Sequence, residues 1–143
     1  LILPDMSIEE SKDYLKSARK NKLDTIFLVS PNTNNARLKK IAKASTGFLY
    51  MVAVFGTTGV QTKIHKYTID SIKNTKKIVS HKLPIGIGFG VSTPSDVKKY
   101  VSVGVDAVIV GSANLKIIEN TPSSKLQKRI TEYTKKLKRS TRL

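Results

Sequence analysis

The chain has 143 residues, 39% of them hydrophobic, with 26 Lys plus Arg against 10 Asp plus Glu, a formal charge of +16, and no cysteine. Apolar runs recur along it, which points to one packed domain and away from disorder, while the missing thiols exclude disulfide frameworks and thiolate metal sites. His65 and His81 lie too far apart in sequence to suggest a metal site. No stretch approaches the roughly 20 apolar residues of a membrane helix and no signal-peptide pattern is present, so a cytoplasmic location is expected.

The first apolar run, residues 1–3, reads as the end of a buried strand with no turn before it. Ser7 with Glu10 three residues later forms the pattern of a capping box that opens a helix. Further apolar runs follow at 25–29, 48–52, 85–88 and 107–110. They do not alternate with polar residues, as expected of parallel strands covered by helices. The widest interval holds residues 53–66, a long loop after a strand, where α/β folds build their sites. Ile69, Ile72 and Val79 place one apolar stripe on the next helix. Thr93 before Pro94 predicts a capped helix start, and Gly104 its stop. Gly111, Ser112 and Ala113 open a short helix running to Glu119, and Leu126, Ile130, Tyr133 and Leu137 stripe a basic C-terminal helix over 123–143. The order is βαβαβαβαβα in one unit, 1–143. Two architectures are compatible with it: an open doubly wound sheet, or the later part of an eight-stranded (β/α) barrel lacking about three units.

Two glycine turns sit at consecutive strand ends. Gly88-Phe89-Gly90 follows the fourth run, and Gly111-Ser112 follows the fifth. Such turns offer free backbone N–H groups to an anion, and a missing Cβ lets phosphate oxygens approach closely. Each turn alone is equally compatible with a simple tight connection. The Gly86-Ile87-Gly88 stretch lacks the downstream acid of a dinucleotide fingerprint, so a Rossmann cofactor site is rejected. In the long loop, Gly56-Thr57-Thr58-Gly59 could add a third phosphate N–H from Gly59. Tyr50 and Phe89 fit either a site or a core. Asp5 is the one carboxylate past a strand end apart from the helix-cap position Asp96, whereas Asp24 and Asp106 precede strands and read as structural. Acid–base groups at the expected active face are therefore scarce.

Together these residues resemble the tryptophan synthase alpha subunit. The resemblance rests on Leu3-Pro4-Asp5 with Glu9-Glu10, on Ile26-Phe27-Leu28-Val29-Ser30-Pro31, on Gly47-Phe48-Leu49-Tyr50 leading to Gly56-Thr57-Thr58-Gly59, on Gly88 through Pro94, and on Gly111-Ser112-Ala113. It implies a (β/α)8 TIM barrel of which this chain covers roughly strands 4–8 with their helices. It also implies the retro-aldol cleavage of indole-3-glycerol phosphate to indole and glyceraldehyde 3-phosphate. No cofactor or metal serves that reaction; pyridoxal phosphate is expected only in the partner beta subunit of an alpha2beta2 assembly. By position, Gly59, Gly90, Gly111 and Ser112 match the phosphate-binding residues. Phe89, Ile2 and Pro4 match the indole pocket, Tyr50 and Thr58 match supporting active-site residues, and Asp5 matches the aspartate that communicates with beta. The family's catalytic Glu and Asp have no counterpart in this chain, so the chain alone is expected to be inactive. Departures from the family pattern fall at Ala53, Phe55, Thr57 and Asn114.

Two other readings stay open. One is a different phosphate-binding barrel enzyme, such as a sugar-phosphate isomerase or epimerase. The other is a non-catalytic nucleic-acid-binding module using the basic C-terminal segment, which holds eight Lys and Arg residues (125, 128, 129, 135, 136, 138, 139 and 142) against Glu132. Lysines elsewhere are dotted along helices and no aromatic stacking platform accompanies them, which disfavours the module.

Overall fold

The computed structural model describes residues 1–52, 66–79 and 83–142. Six helices and four strands alternate among them: α1 (Lys12–Lys20), β1 (Leu28–Val29), α2 (Asn35–Ala44), β2 (Leu49–Val52), α3 (Lys66–Val79), β3 (Ile85–Gly88), α4 (Pro94–Val103), β4 (Ala107–Val108), α5 (Ser112–Glu119) and α6 (Ser123–Arg139). The strands form one parallel sheet in the order β1-β2-β3-β4. A doubly wound sheet reverses its strand order at a switch point. This one runs strictly in chain order, as a barrel wall does.

Register shows how the wall is built. Leu28 pairs with Tyr50, Tyr50 with Gly86, and Gly86 with Ala107, while Leu49 pairs with Ile85 and Met51 with Ile87. Paired residues share a face, so the second set points one way and the first the other. Val29, Leu49, Met51, Ile85 and Ile87 are buried with Leu38 and Ile41 of α2, Ile72 of α3, and Val97 and Tyr100 of α4 in one core. Leu28, Tyr50 and Val52 on the opposite face are only half-buried. The runs of β1 and β2 thus acquire alternating burial, because the helices of this chain cover one side of the sheet, whereas β3 is buried throughout, its glycines lying under Phe48 and Tyr50.

Local signals explain most helix boundaries. Thr93 Oγ1 accepts from Asp96 N at 3.1 Å and the Asp96 carboxylate accepts from Thr93 N at 2.9 Å, a complete capping box with Pro94 in the first turn. Gly104 ends α4 in the left-handed region with φ 101°. Asn34 caps α2 by accepting from Arg37 N at 2.9 Å.

Two expectations at the N-terminal end are corrected. Ser7 and Glu10 do bond each other at 2.5 Å, but they close a turn, and α1 begins later with Ser11 at its N-cap. Ser11 is buried and its Oγ donates to Ile8 O, so the chain enters the helix only after that turn. Residues 1–3 are not a buried strand end: Ile2 makes a single parallel bridge to Ile26, and Leu1, Ile2 and Leu3 are 54%, 40% and 37% exposed. Among the described residues the segment lies at the open edge of the sheet beside β1. Ile26 N donates to Leu1 O at 3.0 Å and Tyr14 Oη donates to the same carbonyl, which fasten it there.

The C-terminal helices are attached more loosely. No residue of α5 or α6 is buried. Leu126, Ile130, Tyr133 and Leu137 are the half-buried positions of α6, so its expected stripe exists and rests against α4 and α5. The helix stops at Arg139, short of the expected 143. No described helix is long and apolar enough to cross a membrane.

Candidate functional site at the strand ends

The carboxyl end of β3 has an unusual backbone. Phe89 and Gly90 both lie in the left-handed region, with φ 78° and 74°. Glycine adopts that conformation freely, whereas a phenylalanine does so at a cost of roughly 1–2 kcal/mol. Phe89 is 61% exposed. Phe89 is therefore not packed into the core of the described residues and stands exposed at the exit of β3.

Tyr50 comes from the neighbouring strand and meets the same point. A Cβ on Gly88 would lie 2.1 Å from Tyr50 Oη, so the tyrosine hydroxyl occupies the space that the glycine leaves. Its ring sits 6.4 Å from that of Phe48 at a tilt of 33°. A Cβ on Gly86 would press on Phe48 and Ile109. Gly86 and Gly88, which look incidental in sequence, are thus the places where the aromatic rings of the uncovered face lie on the sheet. Tyr50 stands outside the helix-covered core, and partial burial raises its pKa.

The second turn ends β4. Gly111 is the N-cap of α5, with no side-chain acceptor for the first N–H groups of that helix. A Cβ there would meet nothing within 4 Å. Protein packing does not demand a glycine at this position, in contrast to Gly88. Ser112 is exposed at the first helical position. Ser92, from the β3–α4 turn, and Ala113, from the first turn of α5, line one hollow of about 330 Å³ with Lys116, Arg129, Tyr133 and Lys136. The residues that follow the two glycine turns, Ser92 and Ala113, thus share a hollow whose charged lining is three cations, Lys116, Arg129 and Lys136, and one carboxylate, Glu132.

The other predicted residues are placed apart from it. Ile2, Pro4 and Asp5 are exposed and follow the edge segment beside β1, two strands removed from β3. The described residues do not bring them to Phe89. Thr58 and Gly59, with the rest of 53–65 and with His65 and His81, lie outside the described residues. Among the described residues no three His, Asp or Glu side chains cluster as metal ligands. Asp106 accepts from Ile85 N at 2.9 Å at the opposite strand ends, a structural role as read.

Two side-chain contacts to Ser92 are not legible in the sequence. Asp96 Oδ2 accepts from Ser92 N at 3.2 Å as well as capping α4, and Tyr133 Oη donates to Ser92 O at 2.8 Å. Burial would raise the Asp96 pKa, but hydrogen bonds from Thr93 and Ser92, with the nearby Lys99 charge, outweigh it and hold the carboxyl below its ordinary value. Tyr133 reads as one position of an apolar stripe, and nothing local connects it to a residue 41 positions away.

The sequence profile of the tryptophan synthase alpha chain matches residues 1–142. The chain belongs to the tryptophan synthase alpha chain family. It is 34% identical over 136 residues to the tryptophan synthase alpha chain of Thermococcus kodakarensis, covering 94% of this chain and 53% of that one. With the alpha chain of Methanothermobacter thermautotrophicus the identity is 42% over 118 residues, 82% of this chain and 43% of the relative. The chain thus spans about half the length of the curated relatives it matches. Among solved structures, the tryptophan synthase a2b2 complex from Pyrococcus furiosus superposes with a TM-score of 0.83 at 32% identity, over 95% of this chain and 54% of the matched one. The aminoacrylate-bound tryptophan synthase from M. tuberculosis gives 0.80 at 27%, over 99% and 50%. The sequential parallel sheet is accordingly part of the (β/α)8 barrel of these tryptophan synthase alpha subunits, as expected from the motifs.

Proposed function

We propose that the whole protein is the alpha subunit of tryptophan synthase, a lyase that cleaves indole-3-glycerol phosphate to indole and glyceraldehyde 3-phosphate. The observation that carries this reading is the match of residues 1–142 to the tryptophan synthase alpha chain family, in a chain with glycine turns after both β3 and β4. Gly90, Gly111 and Ser112 bind the phosphate through backbone N–H groups and the serine hydroxyl, and Gly59 contributes a further N–H. Open space around Gly111 supports this, because a ligand oxygen can take the room that no protein atom uses. Phe89 walls the indole, with Ile2 and Pro4 lining the same pocket once the barrel is complete. Tyr50 supports the reacting end and Thr58 holds the family's catalytic aspartate.

Cleaving the carbon–carbon bond requires a proton placed on the indole ring and another taken from the glyceryl hydroxyl, so two acid–base groups are needed. The matching Glu and Asp are absent from these 143 residues, and the chain by itself does not turn over substrate. No metal or organic cofactor serves this half-reaction; pyridoxal phosphate acts in the beta subunit, which pairs with alpha as alpha2beta2 and receives the indole. Asp5 takes part in communication with that partner. The location is cytoplasmic.

The test is addition of indolepropanol phosphate, an unreactive indole-alkyl phosphate, to the folded 15N-labelled chain. Shifts of the Gly90, Gly111 and Ser112 amides support the reading. A folded sample without them refutes the phosphate site. Cleavage by the whole protein, measured as indole release, tests the lyase assignment, and a whole protein that releases none refutes it.

A further inference from the structure

The left-handed Phe89 is a strained residue placed at the phosphate turn, and such strain persists only where neighbouring structure over-determines it. One end of the turn is fixed by β3, whose Gly88 is paired to Val52 in the sheet. The other end is fixed at Ser92. Both backbone polar groups of Ser92 are held by side chains: its N–H donates to Asp96 Oδ2 at 3.2 Å, and its carbonyl accepts from Tyr133 Oη at 2.8 Å. Asp96 belongs to α4 and Tyr133 to α6, so the turn is gripped from two helices. Between the two ends, Val91 is buried. Ser92 itself is exposed, and water would satisfy its carbonyl equally well, so the tyrosine adds position rather than solvation.

We propose that Tyr133 is a positioning residue for the phosphate turn, holding Phe89 and Gly90 in the left-handed conformation that directs the Gly90 N–H at a phosphate monoester. The proposal deepens the alpha-subunit reading and rests on it for the identity of the ligand. Its mechanical part, that Tyr133 holds the turn, stands on the geometry alone. Tyr133 lies in the half-buried stripe of α6, and its ring lines the same hollow as Ser92 and Ala113.

The experiment compares the unsubstituted chain with Tyr133→Phe, which keeps the ring and removes the hydroxyl, and with Asp96→Asn. Amide and Cα shifts of Phe89, Gly90 and Ser92 are recorded without ligand, followed by titration with sn-glycerol 3-phosphate and by thermal unfolding. The expected result is displaced Phe89 and Gly90 signals in Tyr133→Phe. Glycerol 3-phosphate binding should weaken about three- to tenfold, the scale of one hydrogen bond, while the melting temperature barely changes. Unchanged turn signals, or unchanged affinity, overturn the proposal. A Tyr133→Phe chain that no longer folds, or affinity lost only in step with stability, also overturns it, because the bond would then be a global one. If the unsubstituted chain folds and binds no glycerol 3-phosphate, the phosphate reading fails, and the ligand-free signals still decide whether Tyr133 holds the turn.

Discussion

Gly88→Ala tests how the aromatic face is seated on the sheet. The new Cβ would lie 2.1 Å from Tyr50 Oη, 2.7 Å from Cζ and 3.1 Å from Cε1, against ordinary contacts of about 3.5–4 Å. The β3 backbone is buried and paired on both sides, so the ring must move. Overpacking typically costs about 1–3 kcal/mol, and replacing a strand glycine by alanine returns about 0.5–1 kcal/mol. Tyr50 is half-buried on a face without helix cover and has room to swing, which favours the low end of the cost. The net loss should be about 1 kcal/mol, or roughly 2–4 °C in Tm for a chain of this size. In a Tyr50→Ala background the obstacle is gone, and Gly88→Ala should stabilise by about 0.5 kcal/mol. Urea unfolding of the four chains then gives a coupling near 1.5 kcal/mol, outside the roughly 0.3–0.5 kcal/mol scatter of independent sites. Equal effects of Gly88→Ala in both backgrounds would show that Tyr50 does not lie over Gly88 and would refute the argument.

Gly111→Ala provides the opposite case: with no atom within 4 Å and an ordinary φ of −109°, stability should fall by no more than about 0.5 kcal/mol in urea, while phosphate affinity measured by calorimetry falls. Gly104→Ala should cost about 1 kcal/mol in the same assay, since φ 101° penalises any side chain whatever the space around it. The lowered Asp96 pKa fixes the sign of a pH effect. Its contribution to stability is complete above the unfolded carboxyl value and is lost as pH falls through the lower folded value, so unfolding curves from pH 6 down to about pH 2 should steepen their decline there, and Asp96→Asn should flatten that part.

The legible and illegible parts of this protein divide along a physical line. The α4 boundaries follow from Thr93, Pro94, Asp96 and Gly104, residues that act on backbone within one turn of themselves. The fourth apolar run, 85–88, coincides with β3 even though it holds two glycines, because Ile85 and Ile87 both enter the core. The start of α1 differs from the sequence pattern because Ser7 and Glu10 can satisfy each other in a turn as well as in a helix. The exposure of the first run is not legible because an apolar triplet reads the same whether or not a strand lies beyond it. Tyr133 stayed hidden among stripe residues, since its hydroxyl partner is a backbone carbonyl and carries no side-chain signature.

By itself, the amino-acid sequence determined the alternation of strand and helix, the capped and glycine-terminated ends, and the two turns able to present free N–H groups. Each of these depends on residues within about four positions of one another. Only the tertiary structure decided that the helices cover one face of a sequentially ordered sheet, that Tyr50 fills the space over Gly88, and that Ser92 is held from α4 and α6. Those outcomes depend on strand register and helix packing between residues tens of positions apart, where no local preference of the chain reaches.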